Sequence, residues 1–586
     1  MNSIILSCLF ILSFLLLFWG VYLFRKTTEK INSVLWIFPS FFICLFYLVM
    51  SFGILNIINV PVGLISGSII CLAGASCLWY FILSKNMVQS FYFKITDSIF
   101  VIVIAAITLF YAYKQFGISL APIYETSDPS IHLQSTMDVI NTGKLGRMFF
   151  SSLINCLLIE TFSFVVTPIC YYKIFILSDI FFFFISGLAF YSLASNKTES
   201  SIKKVIALVL TFFYMIGYPL NNMVFGFCYL GMSVSVIAVI LMLVSEYGNF
   251  SYNRIFMTIS LMLSMFSISM CYILFAPVIF ISVFIVIAYN FSKQHKLFSA
   301  KHIIQQLAVF LIPTVLSIYH FAIKAINFSM DTLGVEGYIY RDLISNFFFL
   351  IFPIIVALVT SLKKKQLHPE TVFFIVFVIY MIFAFVFMCK GKISSYYFYK
   401  AYYPLWLICF YIVFRYADSL EKNNFYIPVC YIMTVVTLFG ISEMQIEYKL
   451  MNKNTFFCNK VSTESLFDIY HFNKSKITDS ENLQRTDIWN KRMQLYKYVI
   501  DNCSPNNNVY IADSWLNVYW YEAITNQRFG NYYIWLNRES FSDFYRNCEY
   551  VVIIPESEGY LENIDLYGTQ FNKIYENEIG FIAKLK

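Results

Sequence analysis

Tyr124-Glu-Thr-Ser-Asp-Pro-Ser-Ile-His132, continuing through 133–147, is a polar, proline-containing stretch in a chain otherwise built from long apolar runs. It gathers Glu125, Asp128, His132 and Asp138. A carboxylate that is to act as a base beside a membrane has to sit on a loop at the lipid-water boundary, because ionising it inside hydrocarbon costs several kcal/mol. Asp128 has that address, with Glu125 as the alternative carboxylate. His132 follows four residues later, on the same helical face, and reads as a hydrogen-bonding neighbour of the acid rather than a metal ligand. The same residues also have a purely local reading. Ser127 or Asp128 followed by Pro129 at the first helical position is a start signal for a helix over 130–142. Both readings can hold, since a cap fixes a carboxylate in place.

The second constellation is Lys390-Gly-Lys-Ile-Ser-Ser-Tyr-Tyr-Phe-Tyr-Lys400. Lys392 and Lys400 beside Tyr396 and Tyr397 suit the phosphate of an anionic lipid head group, with Arg341 as a third partner. An interfacial belt of Tyr396, Tyr397, Tyr399, Tyr402 and Tyr403 with snorkelling lysines is the equal alternative. Asp179 falls within an apolar run, where a carboxylate either works or pairs with a neighbouring helix. No Walker loop, dinucleotide glycine pattern or metal-ligand cluster is present, so no metal site and no cofactor is expected.

The elements that must position these residues are membrane spans. The 586 residues are 59% hydrophobic, 20% aromatic and 13% charged, against the roughly 25% charged of a soluble domain. Apolar runs long enough to cross about 30 Å of hydrocarbon are placed at 3–24, 34–57, 61–83, 97–116, 169–194, 205–219, 229–247, 256–271, 273–291, 303–323, 344–361, 370–389, 401–416 and 425–443. The class is thus mainly α, a polytopic bundle of about 13–14 spans over 1–444. Arg25, Lys26 and Lys30 follow the first run with no basic residue ahead of it, which favours an N-terminus outside. Alternating from there puts Lys85, Lys94, Lys203, Lys204, Lys293 and Lys363-Lys364-Lys365 inside. The segments 114–168, 324–346 and 390–400, and everything after 445, then face outward. The apolar piece 147–167, interrupted by Asn155 and Glu160, is expected along the outer interface. The formal charge of +7 lies mostly in short loops, where it sets orientation, and no nucleic-acid partner is implied.

The tail, 445–586, reads as a small soluble α/β domain. Trp489, Met493, Tyr496, Val499 and Ile500 share one side of a helix over 488–503. The runs 509–512 and 550–554 read as short buried strands of a parallel core, with Asn506 to Asn508 as a turn. Most of the 14 cysteines sit in apolar runs as small core residues, while Cys458, Cys503 and Cys548 leave a tail disulfide open.

This pattern resembles bacterial integral-membrane glycosyltransferases of the GT-C superfamily. The likeness rests on a multi-span core, a large first outer loop with Ser127-Asp-Pro-Ser-Ile-His-Leu133 and interfacial helices after it, and an outer α/β tail. Ser394-Ser-Tyr-Tyr-Phe-Tyr-Lys400 also looks like a segment of bacterial members. The chain departs from the simplest pattern in carrying three further spans before the acidic loop's own span, and a single Asp in place of an Asp-x-Asp pair. The resemblance implies transfer of a sugar from a polyprenyl-phosphate carrier, drawn from the membrane lipid, to a glycan, lipid or protein acceptor on the outer face of the cell membrane. It assigns Asp128 as base and Lys392, Lys400 and Arg341 as phosphate partners. A flippase-like transporter centred on Asp179, and a polymerase of lipid-linked oligosaccharides, remain the other two classes.

Overall fold

The computed structural model describes residues 2–585 apart from 25–29, 147, 197, 199, 248–253, 294–299, 324–332, 343, 364–366, 421–425, 444–466, 478, 504–508, 514, 526–548 and 555–570. Each expected span is a helix. The first four are α1 (Asn2–Leu23), α2 (Ser33–Ile57), α3 (Leu64–Lys85) and α4 (Ile95–Phe116). The polar stretch then forms α5 (Asp128–Thr142) and leads into α6 (Phe149–Phe162) and α7 (Tyr171–Ser195). The bundle continues through α8 (Ser201–Ile216), α9 (Tyr218–Phe225), α10 (Cys228–Tyr247), α11 (Arg254–Cys271), α12 (Ala276–Lys293) and α13 (Ala300–Ile318). It closes with α14 (Phe348–Lys363), α15 (Pro369–Cys389), the short α16 (Ser395–Lys400), α17 (Tyr402–Ser419) and α18 (Tyr426–Glu443). The tail adds α19 (Asp468–Lys476), α20 (Asp479–Asn502) and α21 (Trp515–Thr525).

Among the described residues, 11 helices are long and apolar enough to cross a membrane, and the chain is a multi-pass membrane protein. Their burial sorts them by position. The span of α10 is 89% buried and that of α7 83%, whereas α4, α13 and α15 are each 22% buried. The first two form the axis, and the others turn residues such as Ile102, Leu109 and Phe110 outward to hydrocarbon. Lipid tails are as apolar as leucine, so close packing rather than the hydrophobic effect joins such helices. Gly187 on α7 is an instance: a Cβ there would collide with Met215 of α8 and meet Ile104 of α4 at 3.0 Å.

Three expectations are sharpened or corrected. The apolar piece after Arg147 does not lie open along a surface, because α6 is covered on nearly every side by α1, α5, α7 and α11. The span placed at 205–219 continues to Phe225 and is broken at Gly217, whose backbone leaves the helical region before Pro219 restarts α9. The tail sheet is mixed. β1 (Ile31–Asn32) and β2 (Phe91–Tyr92) form a small separate pair, while β3 (Val509–Ala512), β4 (Tyr550–Ile553), β5 (Phe571–Glu576) and β6 (Phe581–Leu585) run in the order β3-β4-β6-β5. Within the described tail strands only β3 and β4 are parallel, and β6 runs antiparallel to both its neighbours. On α20, Trp489, Tyr496 and Val499 are buried as expected, but Ile500 is 41% exposed. Cys503 is a free buried thiol, whereas Cys458, Cys548 and the 506–508 turn lie outside the described residues.

The tail packs on the same face of the bundle as the polar loop. Trp520 of α21 stacks on Tyr124 with ring centroids 5.9 Å apart, and Trp489 of α20 meets Tyr172 at the start of α7. Tyr340 donates to Asp468 at 2.6 Å, and Ser394 N donates to Leu333 O at 2.7 Å. The described parts of these loop segments and of the tail therefore meet at one end of the bundle.

Candidate active site

Asp128 is the first residue of α5, with Ser127 before it and Pro129 after it. No side chain caps this helix, which corrects the capping reading. The Asp128 carboxylate instead turns across the chain, and Tyr396 of α16 donates to its Oδ2 at 2.8 Å. Near +0.5 charge at a helix N-terminus favours an anion at this first position. The loop is placed by the end of α9: Glu125 N donates to Val224 O at 3.1 Å and Thr126 Oγ1 to Phe225 O at 2.7 Å. Gly226 then turns left-handed at φ 77°, and a Cβ on it would drive into Pro129 and come within 2.9 Å of Tyr124.

Behind the carboxylate lies Lys400, only 2% exposed. Its Nζ stands 3.7 Å from the Tyr396 ring centroid, 4.6 Å from Phe227 and 4.9 Å from Tyr229, whose hydroxyl it also bonds. Tyr397 closes the box at 5.9 Å. The amphipathic logic is simple: α16 sets Tyr396 and Lys400 one turn apart, so both reach the same side. Burial pushes the Lys400 ammonium down from 10.5 to about 7, with Asp128 acting against that shift. His132 packs at 4.6 Å against Tyr229, and its Nδ1 has no hydrogen-bond partner. Burial lowers it to about 4, Asp128 opposing and Lys400 assisting, so the ring is neutral at neutral pH. Burial and then Asp128 raise the Tyr396 hydroxyl well above 10.0, which keeps it a donor. The arrangement is one carboxylate steered by a neutral phenol, with a buried cation and an open imidazole nitrogen at its back.

The structure thus brings Asp128, His132, Tyr396, Tyr397 and Lys400 together. It does not bring the other expected residues to Asp128. Glu125 pairs with Lys476 of the tail at 2.8 Å. Arg341 is exposed and pairs with Glu336 at 3.1 Å, and Glu336 in turn accepts from Ser395 beside Tyr396. Lys392 is exposed on the turn ahead of α16. Asp179 accepts from Tyr124 at 2.7 Å, inside a cavity of about 20 Å³ also lined by Tyr214, Asn222 and Cys228. No group of three or more His, Cys, Asp or Glu side chains that could hold a metal ion occurs among the described residues. Sequence reasoning missed Phe227, Tyr229 and Lys476, which carry no local signal. A larger apolar groove of about 460 Å³ opens between α1, α2, α6 and α7, and shares Phe182 with the Asp179 cavity.

Fold and site together define a multi-pass helical membrane protein with a C-terminal α/β region packed against the loop that carries Asp128. Compared with solved structures, the chain is similar to ArnT from Cupriavidus metallidurans bound to undecaprenyl phosphate, with TM-score 0.47 and 11% identity over 82% of this chain and 97% of that one. The apo state of that protein matches with TM-score 0.45, 11% identity and the same coverage of 82% and 97%. The archaeal oligosaccharyltransferase AglB from Archaeoglobus fulgidus, in complex with an inhibitory peptide and a dolichol-phosphate, matches with TM-score 0.36 and 12% identity over 83% and 74%. No family model and no curated protein matches the sequence.

Proposed function

We propose that the chain is an integral-membrane glycosyltransferase that moves a sugar from a polyprenyl-phosphate carrier to a glycan, lipid or protein acceptor on the outer face, with Asp128 as base. The observation that carries this reading is the Asp128 carboxylate, oriented by Tyr396 and backed by the buried Lys400. In the reaction the acceptor hydroxyl gives its proton to Asp128 as its oxygen bonds the anomeric carbon, and the bond from that carbon to the carrier phosphate breaks. A single displacement of this kind inverts the anomeric centre. Lys400 supplies positive charge at the departing phosphate, and Tyr396 holds the base in line. The groove between α1, α2, α6 and α7 offers a hydrocarbon-lined seat for a lipid chain. The lysines at 85, 94, 203, 293 and 363, on the opposite side by span alternation, support the outward orientation of the site and of the tail.

A transporter reading would centre on Asp179, but the Tyr124 hydroxyl gives that carboxylate the job of anchoring the Asp128 loop. The deciding experiment uses the purified full chain in liposomes loaded with undecaprenyl phosphate bearing radiolabelled glucose, galactose, mannose or N-acetylglucosamine. Release of undecaprenyl phosphate, with label passed to water or an added acceptor, is expected for at least one sugar. Movement of label across the bilayer without cleavage contradicts the reading.

A further inference from the structure

The tail helix α19 sits in the break between α8 and α9. That break leaves backbone carbonyls without helical partners. Asn473, fully buried, donates through Nδ2 to Ile216 O at 2.9 Å and Gly217 O at 2.8 Å. Its Oδ1 accepts from Asn221 Nδ2 at 2.9 Å, and Asn221 Oδ1 accepts from the Tyr403 hydroxyl at 2.5 Å. Phe472 stacks on Phe225 at 5.9 Å. So α19 fixes α9, and α9 is the element whose last carbonyls hold Glu125 and Thr126. Thr126 Oγ1 in turn accepts from Asp128 N at 3.3 Å. A second line runs directly, because Lys476 at the end of α19 pairs with Glu125 at 2.8 Å, with side chains 28% and 16% exposed. Glu125 is therefore held at both its backbone and its carboxylate, three residues from Asp128.

We propose that α19 positions Asp128: Asn473 and the Glu125–Lys476 pair are positioning residues of the proposed reaction, and Glu125 is not its base. This rests on the reading of Asp128 given above. A carboxylate spent on an ion pair with a tail lysine is a poor proton acceptor, whereas a loop tied at that carboxylate cannot drift from its substrate. Misplacement by about 1 Å costs about 10²-fold in rate.

The test is a charge-swap cycle in the full chain in liposomes, with the undecaprenyl-phosphate sugar panel as substrate. Lys476→Met and Glu125→Gln are each expected to lose about tenfold or more in kcat with KM nearly unchanged, and the double swap Glu125→Lys with Lys476→Glu to recover most of it. Lys476→Arg, which keeps the pair, is expected to stay near wild type and serves if Lys476→Met fails to fold. Loss in both Glu125 variants, swap included, beside a fully active Lys476→Met would make Glu125 a chemical group and overturn the proposal. Wild-type kcat in every variant would reduce α19 to a docking contact and also overturn it. A readout without turnover separates this from the reading of Asp128 as base. In Asp128→Cys the new thiol should react with a membrane-impermeant maleimide about fivefold faster when Lys476→Met is added, and slow again in the swap, as peptide mass spectrometry reads it. Full turnover in Asp128→Asn would sink the reading of Asp128 as base alone, and the labelling rates would still decide the clamp.

Discussion

Two buried lysines in this chain have opposite surroundings. On the side of the bundle away from the tail, Lys204 pairs with Asp97, which also accepts from Asn32 Nδ2 at 2.5 Å and Tyr191 at 2.7 Å, while Asn32 Oδ1 caps α2 through Val34 and Leu35. Every polar group of that cluster has a partner. On the tail side Lys400 forms no ion pair among the described residues, lies in a box of aromatic rings, and has beside it an imidazole nitrogen with no partner. A closed network rigidifies; an open one retains capacity for something else. The contrast separates the two clusters into a brace for α2, α4, α7 and α8, and the candidate site.

The contrast can be broken at either end. The largest effect is expected from Asp97→Asn, which leaves Lys204 buried without its counter-charge and should cost about 3–5 kcal/mol in thermal or denaturant unfolding. A cost near zero would remove the brace. Next, Lys400→Gln should weaken binding of undecaprenyl phosphate by about 1.5–3 kcal/mol, roughly tenfold to hundredfold, in a lipid titration. Because Lys400 titrates near about 7, that affinity should decline as pH rises from 7 toward 10, and Lys400→Arg should flatten the decline. An unchanged titration for Lys400→Gln would leave the Tyr-rich segment as a membrane belt. Per pH unit, a smaller effect belongs to His132. The unfolded chain takes its proton near 6.5 and the folded chain only near about 4, so stability should be lost as pH falls through that window, at most about 1.4 kcal/mol per pH unit. His132→Gln should remove this part of the acid sensitivity. Smallest of all, Tyr396→Phe should cost about 0.5–1.5 kcal/mol of stability while slowing turnover more.

The spans were legible because lipid admits little besides long apolar helices, and each run in the sequence became one. The tail was half legible. β4 is apolar and buried, as is Ile511 of β3, whereas in β5 Asn572, Lys573 and Glu576 are exposed and polar and gave no signal of the antiparallel half. Within the site, Asp128, His132, Tyr396, Tyr397 and Lys400 could be read by residue type and loop position. Lys392 could not be told from Lys400, since only the start of α16 after Gly391, at φ 66°, puts one lysine on the helix and leaves the other exposed on the turn. Glu125 could not be told from Asp128 either: its partner Lys476 lies 351 residues away, and no local pattern announces such a pair.

The central claim is that the Asp128 carboxylate takes the acceptor's proton. Its most direct test compares wild type with Asp128→Asn for release of undecaprenyl phosphate from the labelled sugar panel, alongside thermal unfolding of both. A drop of about 10²- to 10⁴-fold in release is expected, with carrier affinity unchanged and stability lowered by no more than about 1 kcal/mol for the anion lost at the helix start, because Asn keeps the shape and an acceptor for Tyr396. Undiminished release in Asp128→Asn would contradict the account.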